Sequence, residues 1–291
     1  MPSLLRKYCL ILLLLCTTTS TWGQDAQFPY PSIPDTITAP TARLSYILQN
    51  FWHDYHFADT TQVNKTIGEQ GISDYINLLN YADSVTADQA VNQFVQRAWS
   101  TPWGGKIFGS LLTHYLGDPQ SPLRNDKTYA IFLRHIIFHS HDKAQQSRME
   151  YMYGEISKNQ EGRPAADFSF SMKNGTKGSL YGITSPWTLV CFSDPTCDKC
   201  QKIMPQVIAA KALQNDSLKV IIVYPEYDKE MWENMAFTLP ERWMNVWSPK
   251  ISSEQLYYLP ALPSLYLLDE KKRVVLKDTT LDKLLEFLKK N

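Results

Sequence analysis

Two cysteines three positions apart, Cys197 and Cys200, are the residues of this chain whose types and spacing could do chemistry. They follow the apolar run of residues 188–192 and precede a helical pattern over residues 201–213. A strand, a short turn and two thiols on the first turn of a helix predict a redox-active pair. The unpaired N–H groups and positive dipole of the helix N-terminus favour a thiolate at Cys197. Cys200, one turn further on, is then close enough to form a disulfide with it.

A structural zinc half-site is the main alternative for this pair. Zinc would need two more ligands, but no second C-x-x-C exists, and the last histidine of the chain is His141. Attached haem requires a histidine directly after the second cysteine, and the chain has Gln201 there. We therefore predict a redox pair, with no metal site and no cofactor.

The N-terminal segment has the pattern of a secretory signal. Arg6 and Lys7 precede an apolar run over residues 8–15, and small polar residues lead to a cleavage site after Gly23. The apolar run is too short to span a bilayer. We predict that residues 1–23 are a signal peptide and that the mature protein is exported to the periplasm or cell envelope, with no transmembrane segment after cleavage. A lipid anchor at Cys16 is the less favoured alternative.

The positions of the cysteines and the balance of charges favour some classes of function and exclude others. Of the five cysteines, two belong to the predicted signal, and Cys191, Cys197 and Cys200 remain within ten residues. Such a cluster in an exported chain indicates a local redox feature and not a disulfide scaffold. Cys191 lies inside an apolar strand pattern, which favours a packing role over a third redox role. The 29 basic and 29 acidic side chains balance, so nothing indicates nucleic acid or an anionic membrane as a partner.

The elements that must position the cysteines fall into two predicted domains. Residues 24–40 are rich in proline and threonine and predict an extended linker. Residues 41–160 contain six helical patterns and predict an all-α bundle. In one of them Tyr129, Phe132, Leu133 and Ile136 recur at steps of three and four, with Asn125 as the predicted N-cap.

Residues 161–291 change to strand patterns and predict an α/β domain. A hairpin with its turn at Asn174 and Gly175 comes first, followed by a buried central strand that leads to the cysteines. The helix after Cys197 and the apolar run of residues 218–225 predict a parallel crossover. Residues 226–258 are predicted to be a helical insertion, and two strands and an amphipathic helix end the chain. The predicted order is β-β-β-α-β-(α)-β-β-α.

Residues 165–291 resemble the thioredoxin superfamily, and more closely its exported TlpA/ResA-type thiol-disulfide oxidoreductases. Three features carry the resemblance: CDKC after an apolar strand, Pro205 five residues after Cys200, and LPSLYLLDEKKRVV, in which Pro263 matches the cis-proline of the family. The preceding residues, with FWHDYHF, YLGDPQSPLRND and KNQEGRPAADF, resemble an uncharacterised helical domain of bacterial envelope proteins. The resemblance implies a central mixed sheet flanked by helices, behind an N-terminal helical bundle.

The resemblance also implies roles for residues. Cys197 and Cys200 match the catalytic pair of the family. Leu262 and Pro263 match its substrate-binding segment, in which a cis peptide packs against the cysteines and offers backbone groups to a substrate chain. Protein disulfides are the implied substrates, and a membrane electron donor is the implied source of reducing equivalents.

The chain departs from the family pattern at two positions. Thr196 stands where many thioredoxins have tryptophan, and Cys191 stands where they have a buried acid. The proton that Cys200 exchanges must then pass through another group, with water, Asp194 and Glu226 as the alternatives. The sequence therefore predicts an exported thiol-disulfide oxidoreductase that reduces protein disulfides. The alternative is an envelope binding or assembly protein whose thioredoxin-like domain is mainly a scaffold.

Overall fold

The computed structural model describes residues 27–59, 66–234 and 238–291. The predicted signal peptide and Cys16 lie outside these ranges. The chain divides into two compact units, Met1–Leu116 and Gly117–Asn291. Each unit is described on its own.

The first unit is built from helices, and the second unit contains both helices and strands. The helices are α1 (Pro40–Asn50), α2 (Thr66–Leu79), α3 (Ser84–Ala98), α4 (Pro102–Leu112), α5 (Asp126–His139), α6 (Lys143–Ile156), α7 (Asp198–Ala209), α8 (Lys229–Glu233), α9 (Lys250–Ser253) and α10 (Leu281–Lys290). The strands are β1 (Ser169–Met172), β2 (Lys177–Ser179), β3 (Trp187–Phe192), β4 (Leu218–Tyr224), β5 (Met244–Trp247), β6 (Ser264–Leu268) and β7 (Val274–Thr279). The six helical patterns predicted between residues 41 and 160 correspond to α1 to α6, which confirms that this part of the chain is helical.

Aromatic side chains form the core of the first unit. Trp52 lies at its centre, with ring centroids 4.8 Å from Phe94 and 5.4 Å from Phe108. Phe28, from the segment predicted to be a linker, is 5% exposed and packs on the Phe51 ring at 4.9 Å. Residues 27–38 contain neither helix nor strand. Phe28 nevertheless packs its ring into the aromatic core, so the start of this segment is held against the helices of the first unit.

The second unit begins with the antiparallel pair α5 and α6. Asn125 caps α5 as predicted, since its side chain accepts hydrogen bonds from the N–H groups of Lys127 and Thr128. The division between the two compact units falls between Leu116 and Gly117 in the chain. Both helices therefore belong to the same unit as the sheet. The predicted domain boundary at residue 160 lies further along the chain than this division.

A seven-stranded mixed sheet forms the centre of the second unit, in the order β2-β1-β5-β4-β3-β6-β7. β3 pairs in parallel with β4, and β4 with β5, while β6 pairs antiparallel with β3. The predicted hairpin of β1 and β2 is confirmed; Gly175 has a φ of +83° at its turn, a conformation that glycine adopts without strain. β3 is central and buried along its length, as its apolar sequence predicts.

Helix α7 and the C-terminal helix α10 share one apolar cluster with the sheet. Met204 and Val207 of α7 and Leu284 of α10 are fully buried against Leu189 and Ile222 of the central strands. The parallel β3-α7-β4 connection is the predicted crossover. It places the residues between β3 and α7 at the carboxyl ends of parallel strands, the usual position of a site in an open sheet.

One predicted element was wrong. Residues 226–258 were predicted to be a helical insertion, but they also contain β5, which pairs with β4 and β1 inside the sheet. Trp232 of α8 donates a hydrogen bond from its Nε1 to Oδ1 of Asn245 in β5 at 2.9 Å. With only four residues, β5 is too short to show a period that distinguishes strand from helix.

Candidate functional site

The two cysteines lie at the junction of β3 and α7. Cys197 is the N-cap residue of α7, and its Sγ accepts a hydrogen bond from the backbone N–H of Cys200 at 3.3 Å. Both cysteines are free thiols in this structure; Cys197 is half-buried and Cys200 is fully buried. α7 continues through Pro205 to Ala209. The cysteine at the helix N-terminus is therefore the more accessible of the two.

A local turn directs Cys197 into this position. The Asp194 carboxylate accepts hydrogen bonds from the backbone N–H and the hydroxyl of Thr196, both at 2.7 Å. The Cys197 N–H then donates to the Asp194 carbonyl at 3.2 Å. Aspartate before proline is a typical start of such a turn. Asp194 thus builds the loop between β3 and α7.

The segment predicted to bind substrate lies against the accessible thiol. The Leu262–Pro263 peptide bond is cis, as predicted. The Cys197 S–H donates a hydrogen bond to the Leu262 carbonyl oxygen at 3.3 Å. Leu262 and Pro263 are both half-buried. The fold therefore brings together all four residues that the sequence singled out, from segments 65 residues apart in the chain.

Burial makes Cys200 a weak acid. Loss of solvent raises the pKa of the Cys200 thiol to about 12, and its contact with Cys197 acts in the same direction. The backbone N–H of Asp194 and the hydroxyl of Ser193 act in the opposite direction, because both favour the thiolate. At neutral pH Cys200 is therefore a protonated, inaccessible thiol.

The two thiols should consequently differ in alkylation. Iodoacetamide near pH 7 should label Cys197 first and leave Cys200 unlabelled, because only a thiolate reacts and Cys200 is both buried and protonated. Below pH 12 the thiolate fraction of Cys200, and with it any labelling, should rise about tenfold per pH unit. Peptide mapping after timed labelling measures both rates. Faster labelling of Cys200 than of Cys197 in the native protein would contradict this assignment.

Cys191 occupies the position predicted for it, inside the core. It is 0% exposed, and its S–H points to the sulfur of Met204 at 3.6 Å. Burial raises its pKa far above the usual range of a thiol, and the charge of Cys200 adds to this effect. A sulfur without solvent contact behaves as a small apolar group.

Replacing Cys191 with alanine should therefore affect stability more than reactivity. The missing sulfur leaves a small cavity, and we expect a loss of about 1 kcal/mol in the free energy of unfolding. Urea unfolding measures this loss. Labelling of Cys197 in the folded variant should match that of the unchanged protein, and a large drop in its rate would show that Cys191 takes part in the chemistry.

The two carboxylates that the sequence offered for proton transfer are engaged elsewhere. Asp194 holds Thr196, and the Glu226 carboxylate accepts a hydrogen bond from the Ser252 hydroxyl at 2.7 Å. Sequence reasoning missed Ser193, a buried residue directly after β3 whose hydroxyl lowers the pKa of Cys200. Nothing in the sequence distinguishes it, since a serine after an apolar strand has the pattern of an ordinary strand end.

The described ranges contain no group of three or more His, Cys, Asp or Glu side chains arranged to hold a metal ion. Among the helices of the same ranges, none combines the length and the apolar composition needed to cross a bilayer.

Comparison with known proteins covers both parts of the chain. Residues 15–159 match the family described as "Domain of unknown function (DUF5106)". No curated protein matches. Among solved structures, a thioredoxin-like protein from Bacteroides caccae ATCC 43185 is 28% identical, with a TM-score of 0.85 over 91% of this chain and 99% of that chain.

Two further solved structures each cover less than half of this chain. The C-terminal domain of an uncharacterized protein from Bacteroides fragilis NCTC 9343 is 32% identical, with a TM-score of 0.44 over 46% of this chain and 99% of that chain. The thioredoxin domain of a thiol-disulfide oxidoreductase from Bacteroides vulgatus is 20% identical, with a TM-score of 0.40 over 45% of this chain and 96% of that chain.

The fold and the comparisons agree. The C-x-x-C at the end of β3 and the proline before β6 are two of the features that carry the sequence resemblance, and the mixed sheet flanked by helices is the fold that the resemblance implies. The Bacteroides caccae protein shares this fold over nearly its whole length. The chain therefore has a thioredoxin-like fold in its C-terminal part, preceded by a region that matches DUF5106.

Proposed function

We propose that this protein is an exported thiol-disulfide oxidoreductase that reduces protein disulfides through Cys197 and Cys200. One observation carries the proposal. The half-buried Cys197 thiol caps α7 within 3.3 Å of the Leu262 carbonyl, while the Cys200 thiol lies fully buried one helical turn away. An accessible nucleophile with a protected second thiol is the arrangement that disulfide exchange requires.

The proposed reaction has two steps. The Cys197 thiolate attacks one sulfur of a substrate disulfide and forms a mixed disulfide, and the other substrate sulfur leaves as a thiolate. Cys200 then loses its proton and attacks Cys197 Sγ. The bond to the substrate breaks, the second substrate sulfur leaves and takes up a proton, and the protein holds a Cys197–Cys200 disulfide. The substrate gains two electrons and the cysteine pair loses two.

Leu262 and Pro263 are the proposed substrate-binding residues. In the thiol form the Leu262 carbonyl accepts the Cys197 S–H. When Cys197 loses its proton, this carbonyl becomes free to accept an N–H from an extended substrate chain. Backbone contacts of this type bind a segment largely independently of its sequence. They suit a protein that must reduce more than one partner.

The proposal also includes export of the protein and re-reduction of its Cys197–Cys200 disulfide after each reaction. The leader pattern of residues 1–23 supports export to the periplasm or envelope, where disulfides form and persist. After each reaction the Cys197–Cys200 disulfide needs two electrons from a donor dithiol, for which a membrane protein is the proposed source.

A redox titration of the mature protein tests the proposal. Equilibration with mixtures of reduced and oxidised dithiothreitol, followed by acid quenching and alkylation, should show Cys197 and Cys200 converting together between thiols and disulfide. Cys191 should stay a thiol throughout, which makes Cys191→Ala the matched control. The same titration is repeated with reduced and oxidised glutathione, and a pair that exchanges with neither reagent would favour the binding or assembly protein with a scaffold domain.

A further inference from the structure

A buried series of contacts connects Arg124 to the residue that follows the proposed substrate-binding segment. Ser264 comes directly after Pro263, begins β6 and is fully buried. Its hydroxyl donates a hydrogen bond to Asp278 Oδ1 at 2.6 Å. The other oxygen of the same carboxylate accepts a hydrogen bond from Arg124 Nη1 at 2.5 Å. The Asp278 carboxylate therefore links the guanidinium of Arg124 to the start of β6.

Ser264 is the point at which the substrate-binding segment joins the sheet. Residues 254–263 contain neither helix nor strand, so the place of their last residues depends on how β6 begins. The Ser264 backbone pairs with Phe192 at the end of β3, and its side chain is held from β7. Two residues before Ser264, the Leu262 carbonyl accepts the S–H of Cys197 at 3.3 Å. A shift of Ser264 would therefore move the carbonyl that faces the accessible thiol.

The backbone of β7 is irregular at the residue that holds Ser264. The two strands pair at Leu265 with Thr279 and again at Leu267 with Leu276. Three steps along β7 thus oppose two along β6, so β7 contains a bulge of one residue. Asp278 lies in this bulge with a φ of +44°, a left-handed conformation that residues other than glycine, asparagine and aspartate rarely adopt. Bulges of this kind redirect a side chain and are frequent beside active sites.

Arg124 comes from outside residues 165–291, the part of the chain that resembles thioredoxins. It lies within residues 15–159, which match DUF5106, and in the same compact unit as the sheet. Its Nη2 lies 3.4 Å from Asp126 Oδ1, so the guanidinium is held between two carboxylates. The helical region thus supplies a fixed charge that binds Asp278.

We propose that Arg124 and Asp278 are positioning residues for disulfide exchange. Through Ser264 they hold the substrate-binding segment so that the Leu262 carbonyl can accept an N–H from an extended substrate chain. This inference rests on the proposed function, because it assigns a task to the substrate-binding segment of that reaction. A loosened segment binds such a chain less well and leaves the sulfur chemistry at Cys197 unchanged. The region that matches DUF5106 therefore helps the site to favour a peptide disulfide over a small one.

Two disulfides of different chemistry test this role. A disulfide between two short peptides offers backbone N–H groups to the Leu262 carbonyl, whereas an aromatic disulfide without amide groups offers none. Both react with the same Cys197 thiolate, so a change in the amount of thiolate cancels in the ratio of their first-step rate constants. In Ser264→Ala the ratio of the peptide rate to the aromatic rate should fall about threefold to tenfold, because much of one hydrogen bond is lost.

Ser185→Ala is the matched control for this variant. Ser185 is also buried, and its Oγ donates to the Trp187 carbonyl at 2.7 Å. Trp187 begins β3, and the cysteines follow the other end of the same strand. Ser185→Ala should therefore lose stability, as Ser264→Ala does, and keep the ratio of the unchanged protein.

Arg124→Met tests the contribution of the helical region. The ratio should fall as in Ser264→Ala, because Asp278 loses the cation that holds it. Lys277→Met is the matched control, since Lys277 is a second buried cation that binds Asp126, at 3.0 Å. Its removal should lower stability and leave the ratio unchanged. An equal fall in both methionine variants would show a general loss of stability and contradict the positioning role of Arg124.

The outcomes separate this inference from the proposed function. If the unchanged protein does not react with the peptide disulfide, the proposed function is wrong and the positioning role falls with it. If it reacts with both disulfides, and Ser264→Ala and Arg124→Met keep the ratio of the unchanged protein, the exchange reaction stands and the positioning role is wrong.

Discussion

Replacing Cys197 with serine should reduce disulfide reduction by at least about 10³-fold, because removing the attacking nucleophile removes the first step of the reaction. A serine hydroxyl is not ionised near neutral pH and does not attack disulfides. The half-buried Cys197 is the thiol that a substrate can reach, and Cys200 is buried behind it. Insulin reduction with dithiothreitol as the electron source measures the loss.

Cys200→Ala should stop the same reaction one step later. Cys197 can still attack, but nothing resolves the mixed disulfide, so a covalent complex with the substrate should accumulate and be visible without reducing agent. Cys191→Ala should keep turnover near that of the unchanged protein. Full activity of Cys197→Ser, or a trapped complex in that variant, would show that the site is assigned to the wrong sulfur.

Replacing Arg124 with methionine should cost about 3 kcal/mol in the free energy of unfolding of the second unit. Arg124 Nη1 lies 2.5 Å from Asp278 Oδ2, and the two side chains are 17% and 12% exposed. The other carboxylate oxygen of Asp278 accepts a hydrogen bond from the Ser264 hydroxyl at 2.6 Å. Without Arg124 the Asp278 charge stays largely buried with one neutral donor, and an uncompensated buried charge is more costly than the lost attraction alone.

The surrounding charges strengthen this expectation. Asp126 binds Arg124 at 3.4 Å and Lys277 at 3.0 Å, so two cations and two anions balance within one cluster. Lys277 also donates to the Ile156 carbonyl at 2.5 Å. These contacts join α5 and α6 to β7, which explains why the two helices belong to the compact unit of the sheet. Removing one member leaves the cluster with a net charge.

An exposed ion pair supplies the control. Lys290 lies 2.7 Å from Glu286, with side chains 69% and 66% exposed. Lys290→Met should change the free energy of unfolding by no more than about 0.5 kcal/mol, because water screens such pairs. Urea unfolding of both variants, with hydrogen exchange of β6 and β7 as a local probe, makes the comparison. An Arg124→Met protein within 1 kcal/mol of the unchanged one would show that the cluster adds no net stability.

The turn that carries Cys197 illustrates what can be predicted from sequence. The apolar run, the C-x-x-C and the following helical pattern are contiguous in the chain, so the strand, the turn and the position of Cys197 at the helix N-terminus follow from local rules. The hairpin at Gly175 and the N-cap at Asn125 follow for the same reason. Each depends on residues that lie within a few positions of one another.

Residues that act across the fold were not predictable in this way. Arg124 and Asp278 have no local pattern, and their ion pair forms only when folding brings them together. β5 was missed because four residues show no period, and only pairing with β4 makes them a strand. The engagement of Glu226 by Ser252 likewise joins residues that are 26 positions apart.

Short-range patterns in the sequence predicted the candidate redox pair and the α/β order of the C-terminal domain, and the resemblance to the thioredoxin superfamily implied the cis-proline segment. Tertiary structure alone decided which thiol is accessible and what surrounds the other. Burial of Cys200, the contact of Cys197 with Leu262 and the unpartnered hydroxyl of Ser193 arise where β3, β6 and α7 meet. Acidity depends on solvent exclusion and on nearby dipoles in space, and neither can be read from the order of residues in a chain.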